Sequence, residues 1–146
     1  MDNTEKNPLK LEYQLCFPLY AASREVIKRY RPYLEALDLT YTQYIAMMVF
    51  WEEKKINVKS LGKKLLLDSG TLTPVLKSLE AKGYVRRQRS TEDERVLLVE
   101  ITPEGEALRE NALSIPEQMA KCVNLSPEET LQLYTLLYKV LGTTEQ

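Results

Sequence analysis

The chain has 146 residues, 44% hydrophobic and 28% charged, a composition typical of one soluble globular domain with a substantial core. It contains no histidine and only two cysteines, which argues against histidine-dependent catalytic triads, histidine-rich metal sites and a structural zinc site. The net charge of −1 is uneven: residues 55–95 carry ten Lys or Arg against five acids, so this middle segment either binds a polyanion or forms a solvated basic surface.

A long helix is predicted over residues 12–37, because apolar side chains recur there at spacings of three and four. This face comprises Leu15, Leu19, Ala22, Val26, Tyr30 and Tyr33. Pro18 would break a backbone hydrogen bond in a helix interior but is tolerated in a first turn. The regular helix is therefore expected to begin near residues 15–17, with Cys16 at its N-terminal end; an irregular lead-in or a kink is the alternative.

A second helix is predicted after Thr40, which forms a capping-box pattern with Gln43. Its apolar run, residues 45–51, is expected to enter the core. A short helix follows, with an apolar face made by Val58, Leu61 and Leu65.

The next predicted helix is capped by Asp68 or Ser69 and stops at Gly83. Its core-facing residues are Leu72, Val75, Leu76 and Leu79. Two β-prone runs, residues 84–89 and 95–101, then flank the polar segment STEDE and predict a hairpin with a charged tip.

The C-terminal part of the chain is predicted to be helical. Thr102 caps a helix expected to run to about Cys122, with Pro116 bending or dividing it. Ser126 begins the last helix, which ends near Gly142.

Two short helices followed by a hairpin form the order of a winged helix-turn-helix, here over about residues 40–101. The expected fold is therefore mainly α-helical with a small β wing. In such a unit the second helix enters the DNA major groove, and the hairpin tip reaches the flanking backbone or minor groove.

Polar side chains on this second helix suit contacts to phosphates and base edges. They are Ser69, Thr71, Thr73 and Lys77, and the arginines gathered at the hairpin are Arg86, Arg87, Arg89 and Arg95. Some of these arginines are expected to pair with Asp68, Asp93 or Glu94 and hold the shape of the wing. The alternative is a capped surface helix with ordinary polar residues.

The N-terminal segment MDNTEKNPLK is polar and contains acidic residues, unlike a secretory signal. No apolar run approaches the roughly 18 residues of a membrane span. We therefore expect a cytoplasmic protein whose thiols are reduced by default, so that a disulfide would be a regulatory event.

The residues quoted so far resemble those of the MarR family of bacterial transcription regulators. The segment DERVLLVEIT, residues 93–102, matches the family's wing signature. The segments YQLCFPLYAASRE, LTYTQY, LDSGTLTPVLKSLE and RSTEDER match more narrowly its organic-hydroperoxide-sensing repressors. The resemblance covers nearly the whole chain. It implies a single domain over residues 1–146 and a homodimer whose dimerisation helices lie at about 12–37 and 103–142, bound to a pseudo-palindromic operator.

The resemblance also implies a thiol site. Cys16, in the motif QLCF, matches the peroxide-sensing cysteine, and Tyr20, Tyr30 and Tyr41 match tyrosines that hydrogen-bond to it. Cys122 lies where some members carry a resolving cysteine that bonds to the sensor of the other subunit; the alternative is a partly buried apolar helix residue. Without the resemblance, Cys16 itself would be interpreted as a small buried hydrophobe.

The expected function is a repressor that binds DNA when reduced and releases it when an organic hydroperoxide oxidises Cys16. No metal or other cofactor is expected, and the protein is not expected to be an enzyme. Two alternatives stay open. Phenolic or aromatic ligands, or general oxidants, could release a regulator of the same fold. A thiol peroxidase using both cysteines is disfavoured, because no arginine is close in sequence to Cys16.

Overall fold

The structure, a computed structural model, describes residues 7–142. Residues 1–6, part of the segment that was unlike a secretory signal, lie outside the described residues. After a short 3-10 helix at Leu11–Tyr13, the described elements are α1 (Cys16–Glu35), α2 (Tyr41–Glu53), β1 (Lys55–Asn57), α3 (Val58–Leu65), α4 (Ser69–Ala81), β2 (Val85–Arg89), β3 (Leu97–Ile101), α5 (Pro103–Ala112), α6 (Ile115–Val123) and α7 (Pro127–Leu141).

Side-chain caps begin several of these helices where the sequence predicted them. The hydroxyl of Thr40 accepts from the Gln43 amide at 3.3 Å, and the Gln43 side chain accepts from the Thr40 amide at 3.0 Å. Ser126 and Glu129 form the same reciprocal pair at the start of α7. Thr102 caps α5 by accepting from the Gly105 amide at 3.1 Å. These caps satisfy amides that would otherwise lack partners in the first turn of a helix.

The start of α1 agrees with the prediction made from Pro18. The helix begins at Cys16, so Pro18 lies in the first turn, where its missing N–H costs little. A second proline, Pro32, lies within α1 near its C-terminal end and removes one backbone hydrogen bond there, yet the helix continues to Glu35.

The helix predicted from Thr102 to about Cys122 is divided in two. Helix α5 ends at Ala112 and α6 begins at Ile115, so Pro116 lies in the first turn of α6. The division predicted as one effect of Pro116 is therefore observed, with the break just before this proline.

A three-stranded antiparallel sheet in the order β1-β3-β2 forms the wing and its base. In β2 and β3, Val85 pairs with Ile101 and Arg87 with Val99, as expected for the predicted hairpin. The sequence did not predict β1, whose three residues gain a regular structure by pairing with β3, with Ile56 opposite Val99.

Helices α2, α3 and α4 and the sheet form one lobe, which we call the wing lobe, and its core lies among these elements. Fully or almost fully buried side chains include Ala46, Met47, Phe50, Leu61, Leu72, Leu76, Leu79, Val85 and Val99. The predicted core face of α4 is confirmed, because Val75 is also buried. The predicted core run of α2 is interrupted by Met48, which is 45% exposed.

One junction in this lobe requires a glycine. A Cβ at Gly105 would lie 2.2 Å from the carbonyl oxygen of Tyr84, so only glycine lets α5 approach the start of β2 this closely. The indole N–H of Trp51, on α2, donates to the carbonyl oxygen of Gly105 at 2.9 Å. Trp51 thereby fastens α2 to the first turn of α5.

Contacts within the chain form two compact units divided between Ile115 and Pro116. The first contains α1–α5 and the sheet, and the second contains most of α6 and all of α7. The predicted single domain over residues 1–146 stays a prediction. Across residues 7–142, none of the helices has the length and apolar character that a membrane crossing requires.

Candidate nucleic-acid interface and thiol site

Helix α4 presents the polar side chains predicted to contact DNA. Its apolar residues are buried, which leaves Ser69, Thr71, Thr73 and Lys77 exposed. Ser69, Thr73 and Lys77 follow one another at intervals of four, so they form one stripe along the helix. The Thr73 hydroxyl also donates to the carbonyl oxygen of Ser69 at 2.8 Å.

Asp68 caps α4. Its Oδ1 accepts from the Thr71 amide at 2.7 Å, and this hydrogen bond holds the pKa of Asp68 below its ordinary value. The sequence predicted Asp68 or Ser69 as this cap, and Asp68, Asp93 or Glu94 as partners of some wing arginines. The contacts described for its carboxylate are those of the cap, with the backbone of Gly70 and with the backbone and side chain of Thr71.

Two of the four wing arginines form ion pairs at the surface. Arg95 makes a two-point contact with Asp93, at 3.0 Å and 3.1 Å, which lowers the pKa of Asp93. Arg86 lies 3.8 Å from the carboxylate of Glu100, its cross-strand partner. Arg89, at the end of β2, is exposed. These three guanidinium groups remain accessible to a phosphate or a base edge.

Arg87 has a different environment. Its backbone N–H and its side chain both donate to the carboxylate of Glu80 on α4, at 2.9 Å and 3.1 Å, and its side chain is only 24% exposed. The hydrogen bond from the Arg87 amide is the main cause of the lowered pKa of Glu80. This pair links the wing to α4, the helix predicted to enter the major groove, which we call the recognition helix. The sequence interpretation missed Glu80, because only the reversal of the chain at Gly83 brings the two residues together.

Cys16 is the first residue of α1 and is exposed in the single chain. It is therefore not a core residue of this chain. Neighbouring apolar side chains are exposed too, with Leu15 at 67%, Phe17 at 45% and Leu19 at 39%. Cys122 lies in α6 and is half-buried.

The three tyrosines predicted around the thiol occupy two places. Tyr20 lies one turn after Cys16 on the same face of α1, with the Arg24 guanidinium 5.4 Å from its ring centre. Tyr30 follows Cys16 by fourteen residues, about 21 Å along a helix. Its ring packs against that of Tyr41 at 5.0 Å. Within one chain, only Tyr20 is therefore placed near Cys16.

Tyr44, which the sequence interpretation did not consider, completes a cluster with Tyr30 and Tyr41. Its ring lies 5.8 Å from Tyr30 and 6.4 Å from Tyr41, and the residue is 3% exposed. Burial, followed by the neighbouring phenols, raises the pKa of Tyr30 to about 12, and burial also raises the pKa of Tyr41 and Tyr44. All three phenols are therefore protonated at neutral pH and are able to donate hydrogen bonds.

Known proteins similar to this chain are transcriptional regulators. The family model "Transcriptional regulator SarA/Rot" matches residues 28–111. The organic hydroperoxide resistance transcriptional regulator of Bacillus subtilis is 47% identical over 138 residues, 94% of each chain. The HTH-type transcriptional regulator SarZ of Staphylococcus haemolyticus is 47% identical over 132 residues, 90% of each chain.

Solved structures of AbfR from Staphylococcus epidermidis are also similar. Reduced AbfR bound to DNA has a TM-score of 0.76 and 34% identity, covering 94% of this chain and 96% of that one. Disulfide-formed AbfR has a TM-score of 0.65 and 33% identity, covering 97% and 99%. The chain thus matches these regulators over nearly its full length, and the match includes the capped helices, the recognition helix and the wing. The chain therefore belongs to the MarR family of transcriptional regulators, and within it to the organic hydroperoxide resistance type.

Proposed function

We propose that this regulator is a homodimeric repressor that binds operator DNA when Cys16 is reduced and releases it when an organic hydroperoxide oxidises Cys16. The observation that carries the proposal is the position of Cys16, exposed at the first residue of α1 with exposed Leu15 and Phe17 on either side of it in sequence. Its B. subtilis relative is named for organic hydroperoxide resistance.

Cys16 lies at the end of α1 where the first backbone amides have no partner within the helix. These amides would be able to donate hydrogen bonds to a reactant at the sulfur. Within residues 7–142, no side chain caps the first turn of α1. Exposed Leu15, Phe17 and Leu19 would favour an apolar peroxide over hydrogen peroxide.

The proposed contact between Tyr30 and a thiol would need a second subunit. Tyr30 is about 21 Å from Cys16 along α1, so it reaches a thiol only if the helices of two subunits run antiparallel. In that arrangement, Cys16 of one subunit would meet Tyr30 and Tyr41 of the partner subunit. Their protonated phenols would donate to the thiolate, while Tyr20 would contribute from the same chain.

Apolar exposure supports the homodimer. Helix α7 exposes Leu131, Leu133, Tyr134, Leu136, Val140 and Leu141, each at least 42%. Exposed apolar area of this extent on one helix is typical of a protein interface. The N-terminal part of α1 also exposes apolar side chains, among them Phe17 and Leu19.

The DNA contacts of each subunit would come from the exposed stripe of α4 and from the wing. Four residues of α4 would contact the major groove: Ser69, Thr71, Thr73 and Lys77. Arg86, Arg89 and Arg95 would contact the backbone or minor groove. Arg87 would hold the wing against α4 through Glu80, and Asp93 would hold the tip through Arg95.

The oxidation proceeds in two steps. The Cys16 thiolate attacks the terminal oxygen of the hydroperoxide, the O–O bond breaks, and an alcohol leaves after a phenol or water supplies its proton; Cys16 becomes a sulfenic acid. The thiol of Cys122 from the partner subunit then attacks this sulfur, forming a disulfide and releasing water. The protein would act once per oxidation, as a regulator and not as a turnover peroxidase.

Operator binding tests the proposal. A duplex selected from random sequence by the reduced wild type is titrated with wild type, Cys16→Ser and Cys122→Ser, before and after cumene hydroperoxide, hydrogen peroxide or salicylate. Wild type should lose at least about a hundredfold in affinity after cumene hydroperoxide, within the usual range of coupling between two sites. Cys16→Ser should bind normally and show no loss.

Other results would point elsewhere. Release of Cys16→Ser by peroxide would contradict the sensing role, and release of wild type by salicylate alone would favour a ligand-responsive regulator. Steady NADPH-coupled consumption of peroxide would favour an enzyme. A non-reducing gel that shows no crosslinked dimer after oxidation, or the same dimer in Cys122→Ser, would remove the resolving role.

A further inference from the structure

A buried glutamine joins the start of α2 to the end of the recognition helix. Gln43 is 7% exposed, and its Nε2 donates to the Ser78 hydroxyl on α4 at 2.9 Å. Its Oε1 accepts from the Thr40 amide at 3.0 Å and from Lys82 Nζ at 3.0 Å. Both polar atoms of one amide thus connect the cap of α2 with the last turn of α4.

Lys82 extends this connection to the corner between α1 and α2. Its Nζ also donates to the carbonyl oxygen of Asp38 and lies 3.7 Å from the Asp38 carboxylate. Asp38 has a φ of 55°, a left-handed conformation that reverses the chain between the two helices. Ser78 and Lys82 are four residues apart, so one face of α4 receives all these contacts.

The wing holds α4 from another side. Glu80 lies between Ser78 and Lys82 in sequence and points to a different face, where it accepts from the backbone and side chain of Arg87. The C-terminal turn of α4 is thus fixed by polar contacts on two sides, while the exposed stripe proposed to contact DNA begins at its N-terminal end.

We propose that Gln43 is a positioning residue that transmits displacements of the α2 N-terminus to the recognition helix. Tyr41 is the first residue of α2 and Gln43 the third, so a shift of Tyr41 carries Gln43 with it. Apolar side chains between α2 and α4 are able to slide past one another, but hydrogen bonds have a preferred direction and length.

Breaking the Gln43 contacts inside the lobe would leave buried polar groups without partners, so Ser78 follows Gln43 and α4 turns as a rigid element. The coupling to oxidation rests on the proposed function, in which Tyr41 loses its contact with the oxidised thiol. The positioning of α4 itself does not depend on oxidation.

Ser78→Ala tests this link. It removes one of the two contacts from Gln43 to α4, the hydrogen bond to the Ser78 hydroxyl, and leaves the capping box of α2 and the hydrogen bond from Lys82 in place. The matched control is Asn57→Ala, which removes one capping hydrogen bond, to the Ser60 amide at 2.7 Å, elsewhere in the same lobe. Circular dichroism melting confirms that both variants fold, and binding is measured on the duplex selected by the reduced wild type, before and after cumene hydroperoxide.

Ser78→Ala should bind about tenfold more weakly when reduced and about as weakly as wild type when oxidised, so that its ratio of oxidised to reduced dissociation constants falls about tenfold. Asn57→Ala should keep the wild-type ratio, since a purely structural loss does not change it. An unchanged ratio in Ser78→Ala overturns the inference while the proposed function stands.

If oxidation does not release wild type, the proposed function fails and reduced-state affinity decides the positioning role. A loss of about tenfold in Ser78→Ala but not in Asn57→Ala then supports the role. Equal affinities remove it.

Discussion

At the scale of single residues, the tyrosine cluster holds its phenols in one protonation state. Tyr30 packs against Tyr41 and Tyr44, and burial raises its pKa to about 12. A phenol with this pKa is a hydrogen-bond donor throughout the physiological range, so its contact with a thiolate or a sulfenate would not vary with cellular pH. The difference between the reduced and the oxidised protein would then lie in the state of Cys16 and Cys122 and not in the protonation of the phenols.

Alkaline unfolding checks the state of Tyr30. Its folded pKa is raised above the ordinary value of 10.0, so above pH 10 the unfolded chain releases the proton first and the free energy of unfolding falls as pH rises toward 12. Tyr30→Phe has no phenol to ionise at this position, so it should not show this fall in the free energy of unfolding. Urea unfolding at pH 8 and pH 11 should show the variant gaining on wild type at the higher pH, and a difference that stays constant between the two would contradict the assignment.

At the scale of elements, predictions that depend on local sequence agree with the structure. Thr40, Thr102 and Ser126 cap the helices that they were predicted to begin, because a cap involves residues only three positions apart. Of the two caps predicted for α4, Asp68 and Ser69, the structure has Asp68. The strand β1 was missed, since Lys55 pairs with Glu100, forty-five positions away.

Contacts between elements were not predicted either, because their partners are far apart in the sequence or are brought together only by packing. The Gln43–Ser78 and Glu80–Arg87 hydrogen bonds exist only after α4 has packed against α2 and the chain has reversed at Gly83. The sequence identified arginines as a group suited to DNA. It did not show which of them is turned inward against α4.

The Glu80–Arg87 pair should stabilise the wing lobe in a pH-dependent way. The pKa of Glu80 is lowered on folding, so its contribution is present above the ordinary value of 4.5 and is lost as pH falls through the folded value. Glu80→Gln should lower the free energy of unfolding at pH 7 by no more than about 1 kcal/mol, because the pair is partly exposed to solvent.

Urea unfolding from pH 7 downward checks this dependence. The deficit of Glu80→Gln relative to wild type should shrink below pH 4.5, and a deficit independent of pH would count against the pairing. Glu106→Gln is the control. It breaks the more exposed pair with Lys54, 2.7 Å long, and should have little effect on stability at any pH.

At the scale of the whole molecule, a single chain leaves much apolar surface uncovered. The exposed residues of α7 and of the N-terminal part of α1 lie on helices whose apolar periodicity is clear from the sequence. Periodicity identifies an apolar face but not what covers it. The homodimer was therefore predicted from the family resemblance and not from the apolar pattern.

Substitution of one exposed leucine tests the dimer. Leu136→Asp on α7 places a carboxylate where the proposed interface would bury it once in each subunit, so dimer dissociation should increase at least tenfold, about 1.4 kcal/mol. Leu66→Asp is the matched control, since Leu66 is 56% exposed and Leu136 is 58% exposed. Its left-handed backbone, with φ 55°, also accommodates aspartate.

Sedimentation equilibrium measures the outcome. Leu136→Asp should shift toward monomer at concentrations where wild type and Leu66→Asp remain dimeric. Equal dissociation constants for the three proteins would show that α7 is not part of the interface.

The hydrogen bond that fastens Trp51 to Gly105 also gives the protein an optical probe of its own. Trp51 is the single tryptophan of the chain, and its ring stands edge-on to Tyr44 at 6.4 Å. Light absorbed by Tyr44 and its neighbouring phenols is therefore passed efficiently to one indole, whose emission is sensitive to the hydrogen bond at its N–H. Rearrangement of the tyrosine cluster during oxidation would register as a change in intrinsic fluorescence, without any label and in the same cuvette as the DNA titration.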